Sequence, residues 1–141
     1  MNTPASSLEV ALRAVAVIQI AIVALKFALA QVLGLNDAIT SWPAAVRELF
    51  VVHVSSVSLT ILTISVLTLR FAREIAEQAD AICRWLAGAA AIFWLLRGWL
   101  KWVYGLDSPW PINHLHWALM AVDGCLALVY GLAAWSRSER D

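Results

Sequence analysis

Leu49–Leu69, LFVVHVSSVSLTILTISVLTL, runs for 21 residues without a Lys, Arg, Asp or Glu. At a helical rise of about 1.5 Å per residue it reaches about the ~30 Å of a bilayer's hydrocarbon core. The stretch therefore reads as a membrane-spanning helix. It is not uniformly apolar: His53, Ser56, Thr60 and Thr63 recur at spacings of 3, 4 and 3, which places them in one stripe on a helix. Hydrocarbon offers such a stripe no hydrogen-bond partner, so the expectation is that it turns toward other protein.

The rest of the composition fits the same environment. Of 141 residues, 62% are hydrophobic and only 14% charged, against about 45–50% and about 25% in a soluble domain. Mean hydropathy is +0.76. Four spans of about 22 residues use most of the chain, which leaves room for a single domain and short loops. Ten basic and ten acidic residues cancel, and no basic tract suggests nucleic acid as a partner. The two cysteines, Cys83 and Cys125, have no paired spacing and read as buried apolar thiols. Ala28-Leu29-Ala30 before Gln31 is similar to a signal-peptidase site, but Lys26 interrupts the apolar run and no basic segment precedes it. The first segment is therefore expected to stay as a span.

The fold class expected is all-α: a polytopic membrane protein, a four-transmembrane-helix bundle with spans at about 8–33, 43–73, 80–104 and 113–135. Ser6-Ser7-Leu8-Glu9 fits a capping box for the first helix, and Gly34 suits its C-terminal end. Gln19, Val23, Lys26 and Ala30 share one face of it. Gly34 to Trp42 reads as a loop, and Ser41-Trp42-Pro43 as the start of the second helix. No glycine or proline separates the second and third helices, so the polar run Arg73–Asp80 must supply the bend, with Asp80 as N-cap of the third. Cys83, Ala87, Ala90, Trp94, Arg97, Lys101 and Tyr104 form that helix's seam. After the turn-rich GLDSPWPI at 105–112, Asn113 can cap a fourth helix with the seam His116, Met120, Asp123, Ala127, Tyr130 and Ala134.

Basic residues set the orientation. Arg13, Arg70, Arg73, Arg84, Arg137 and Arg140 gather on one side, which the positive-inside rule places in the cytoplasm with both termini. Trp42, Trp99, Trp102, Trp110 and Trp117 then crowd the outer interface as an aromatic belt. The alanine, valine and arginine richness suggests a bacterial inner membrane.

Counting residues inward from the outer helix ends places Lys26 and Arg97 about 10 Å deep and His53 and Asp123 about 15 Å deep. Each helix thus brings one ionisable group to a similar layer, where each costs about 2.5–3.5 kcal/mol if it faces lipid. The expectation is an outward-facing polar cavity, with Asp123 paired to Lys26 or Arg97. Its ligand-binding residues would be Lys26, His53, Arg97, Asp123, Lys101, Trp94 and His116. Surplus positive charge suits a quinone carbonyl or a small anion. In it Lys26 and Arg97 would donate to the ligand, His53 would move protons and Asp123 would balance charge. Against this stands a purely structural account, in which the long cations snorkel and Asp123 locks helix packing.

Other chemistry is weaker. His53 and His116 could ligate haem b, but their depths differ by about 8–10 Å at helical rise. His114 and His116, two residues apart on a helix, point in opposed directions and make no metal site. No nucleophile signature is present.

Arg13–Phe27, RAVAVIQIAIVALKF, resembles the first helix of the DoxX-like family of four-helix bacterial membrane proteins: an arginine, an apolar run, then a lysine near the outer end, here Arg13 and Lys26. The family's glycine before that lysine is replaced by Val23 or Ala24, and its glycine-acid pattern in the second helix is absent. Asp123 is reminiscent of an acid in the family's last helix. The resemblance implies membrane redox work, such as thiosulfate oxidation with quinone or resistance to reactive oxidants.

Three functions are thus carried forward. The first is a ligand-binding membrane protein in a redox or stress pathway. The second is a non-catalytic structural or accessory subunit that docks a larger membrane complex through its Trp-rich outer half; a membrane protein partner or a homo-oligomer is the expected association. The third is a haem-b electron carrier.

Overall fold

The computed structural model describes residues 4–77, 79–105 and 113–135. Among them are five helices and no strand: α1 (Pro4–Val32), α2 (Leu35–Thr40), α3 (Ala44–Ala76), α4 (Ala81–Gly105) and α5 (Asn113–Trp135). All but α2 are long and apolar enough to cross a membrane. The all-α class with four spanning helices, expected from the sequence, is the one observed.

Local chemistry explains most of the boundaries. α1 starts at Pro4, before the Ser6–Glu9 capping box, so that box lies inside the helix rather than at its start. It ends where Gly34 takes φ 63°, a left-handed conformation that glycine adopts without a Cβ clash. The expected loop after it is instead the single turn α2, held by Ala38 N–H to Gly34 O (3.1 Å) and by the Thr40 hydroxyl to Asp37 O (2.6 Å). α3 opens with Arg47 N–H donating to Pro43 O at 3.0 Å, and Trp42 packs edge-on against Phe50 at 5.3 Å.

α3 does not stop near Arg73. It runs to Ala76, with Phe71 alone out of helical geometry (φ −114°, ψ 19°). The chain then turns without glycine or proline in the Arg73–Asp80 run. Ala79 N–H reaches back to Glu74 O (2.9 Å), a wide closure typical of helix ends. Asp80 Oδ1 then accepts the Cys83 N–H at 2.8 Å and caps α4, as its position suggested.

Contacts divide the chain into two compact units. One is Arg13–Arg70; the other joins Met1–Leu12 to Phe71–Asp141. In the first, Val15, Ala16, Gln19, Val23, Ser58, Ile61, Ser65 and Thr68 are buried. The face of α1 read from the sequence is correct, with Gln19 and Val23 buried and Lys26 and Ala30 half-buried. The face of α3 is not. His53, Ser56, Thr60 and Thr63 are all exposed, and the covered stripe is Ser58, Ile61, Ser65, Thr68 and Ala72. Ser65 Oγ lies 2.9 Å from Gln19 Oε1, a polar tie between α1 and α3.

Two outcomes test these local contacts. Ser65→Ala should lower unfolding stability in detergent by about 0.6–1.7 kcal/mol, the range for hydrogen bonds between membrane helices, while Thr63→Ala on the exposed face should change nothing. Asp80 is held below the ordinary carboxylate pKa, chiefly by the Cys83 backbone N–H. Its contribution is therefore present above the unfolded-state pKa and lost as pH falls through the lower folded value. Thermal unfolding followed by circular dichroism from neutral to acid pH should show a loss that Asp80→Asn flattens.

Candidate functional site

α4 and α5 pack antiparallel, with Gly88 beside Ala134 and Gly98 beside Asp123. A β-carbon at Gly98 would lie 3.7 Å from that of Asp123. Small residues on this seam, Ala87, Ala90 and Ala91 on α4 and Ala127 on α5, are all buried and let the two backbones approach. Close approach brings Asp123, itself buried, within reach of two cations on α4.

Arg97 Nε sits 3.4 Å from Asp123 Oδ1, and Lys101 Nζ 2.7 Å from Oδ2. Arg97 and Lys101 are one helical turn apart, so a single carboxylate bridges both. Their side chains are 23% and 22% exposed against 4% for Asp123, so the acid is enclosed and the cations reach outward. Arg97 also lies over the face of Trp94, with Cζ 5.4 Å from the ring centroid. Trp94 is fully buried, and its Nε1 makes no hydrogen bond, nor does Arg97 Nε. Toward the ends of the pair, Trp102 of α4 meets Trp117 of α5 edge-on at 5.7 Å.

Chemically, the group is one acid shared by two bases, with a formal surplus of one positive charge among the three. Removed from water, such a surplus favours an electron-rich partner. The unmet indole N–H is a donor of the kind that a carbonyl or carboxylate oxygen accepts.

Of the residues expected to bind a ligand, Trp94, Arg97, Lys101 and Asp123 come together here. The pairing of Asp123 with Arg97 was expected. Its closer partner, Lys101, was placed too near the surface by counting Cα depth, which ignores the reach of a lysine stem. Lys26, half-buried, and His53, exposed, belong to the Arg13–Arg70 unit. His116 falls in the first turn of α5, and its side chain, like those of His114 and Tyr104, lies outside the described residues. Among the described residues no three His, Cys, Asp or Glu side chains converge on a metal-sized site. Cys83 is buried, and Cys125 is exposed rather than buried as expected; both are free thiols.

The chain matches no protein-family model, and comparison with curated proteins and with solved structures finds no match.

Asp123→Ala would leave both cations without their counter-charge. It should cost about 3 kcal/mol of stability, in the range for breaking a buried ion pair. Replacing Asp123 with Leu together with Lys101→Met and Arg97→Leu should recover most of that loss in the same detergent unfolding assay.

Proposed function

We propose that this chain is a small multi-pass membrane protein whose Trp94–Arg97–Lys101–Asp123 site binds a quinone or a small anion, in support of a membrane redox or stress pathway. The observation that carries the proposal is the enclosed carboxylate held by two partly exposed cations, with the buried Trp94 indole N–H beside them unmet. Ionisable groups are expensive at this depth, and a cluster of them is better explained by a ligand than by packing alone. The resemblance of Arg13–Phe27 to a DoxX-like first helix supports a redox setting. The distribution of arginines supports cytoplasmic termini in a bacterial-type inner membrane, with the site opening to the other side.

A second reading, an accessory subunit, draws on one observation: the exposed polar stripe His53, Ser56, Thr60 and Thr63. Thr60 bonds back to Ser56 O at 2.9 Å, and the exposed His53 imidazole is the group that a partner helix would satisfy in hydrocarbon.

One preparation separates the alternatives. The protein is purified in mild detergent, its absorption spectrum is recorded, and co-purifying small molecules are identified by mass spectrometry. A quinone or a carboxylate should accompany the wild type and be lost from Arg97→Leu, which keeps the Lys101–Asp123 pair and should fold. A Soret band would identify haem instead. A colourless preparation that carries neither compound and takes up neither when it is added overturns the ligand site. Co-purification of a partner protein lost on His53→Leu would then favour the accessory subunit.

A further inference from the structure

Trp42, Trp85, Trp99, Trp102, Trp117 and Trp135 are all exposed, from 39% to 87%. Trp94 differs from these six. It is fully buried in the middle of α4, and its indole N–H meets no acceptor. An apolar side chain there would bury no donor. An unmet N–H enclosed in an apolar span is unfavourable, because neither water nor lipid can satisfy it.

Its neighbours narrow the role. The ring face is covered by the Arg97 guanidinium, so the donor edge remains. Arg97 Nε, one turn further along the same face, already faces Asp123 Oδ1 at 3.4 Å, and Lys101 Nζ lies 2.7 Å from Asp123 Oδ2. The donor in this cluster with neither a hydrogen bond nor an ion pair is therefore Trp94 Nε1.

We propose that Trp94 Nε1 is the donor that selects the ligand, and that it holds one oxygen acceptor on a lipid-soluble molecule. The acceptor is a quinone carbonyl or the carboxylate of a medium-chain fatty acid. Asp123 holds Arg97, whose guanidinium covers the Trp94 ring. This rests on the ligand site proposed above and adds the donor that confers selectivity.

The test uses the full chain in detergent, with ubiquinone-1 and octanoate as separate probes for the two sources of the acceptor. Binding is followed by calorimetry and by the indole N–H signals in a 15N-labelled sample. Trp94 is recognised there as the indole that exchanges most slowly with solvent. One probe should bind the wild type and move the Trp94 indole signal downfield. Trp94→Phe removes the donor together with part of the ring; it should bind that probe about tenfold more weakly, the loss of roughly one hydrogen bond, and the Trp94 signal of the wild type separates the lost donor from the lost volume. Wild-type binding that leaves the Trp94 signal unmoved overturns the inference while the ligand site stands. So does equal binding by Trp94→Phe. The labelled wild type decides the matter if the variant fails to fold. If neither probe binds the wild type, the ligand site and the inference fall together.

Discussion

Hydrocarbon supplies no hydrogen bonds, and the organisation of this chain follows from that. Backbone groups are met by winding α1, α3, α4 and α5 into long helices, with a kink at Phe71 in α3. Side-chain polar groups then have two recourses. Hydroxyls bond back to their own helix: Ser58 to Val54 O, Thr60 to Ser56 O and Ser65 to Ile61 O, all at 2.7–2.9 Å. Groups that cannot do so must find another helix. Gln19 finds Ser65, and Asp123 finds Arg97 and Lys101.

The same distinction explains what was legible in the sequence. The faces of the first, third and fourth spans were readable because each carries a residue with no local remedy: Gln19, then Arg97, then Asp123. Such a residue has to point at protein. The second span carries serines and threonines all around its circumference, each able to satisfy itself on the preceding turn. Polarity there says little about burial, so the stripe beginning at His53 was chosen and the buried one through Ser58, Ser65 and Thr68 was missed. His53 was the only titratable group in that stretch, and it drew the choice toward its own face.

Helix ends were legible where the signal is steric or electrostatic. Gly34 and Asp80 act as glycine and aspartate do at helix termini. The turn α2 was not legible, since six residues are too few to show a period. The break at Phe71 carries no proline or glycine to announce it, and the turn after Ala76 is closed by backbone bonds that any sequence could make. At the site, seam spacing grouped Trp94, Arg97 and Lys101 correctly. What one dimension could not give was the span of a flexible lysine stem, and so the closer partner of Asp123 was misjudged.

Asp123 lies close to the midpoint of α5, and the cations beside it therefore sit part-way through whatever voltage the membrane sustains. Moving one elementary charge across the full potential changes its energy by about 2.3 kcal/mol per 100 mV. A fixed excess charge at intermediate depth experiences a fraction of that. A charged occupant would carry its own charge through part of the same drop on arrival, and a neutral one would not. The two ligand classes thus differ in a property separate from hydrogen bonding: occupancy by an anion rises or falls with the energised state of the membrane, and occupancy by a neutral quinone is indifferent to it.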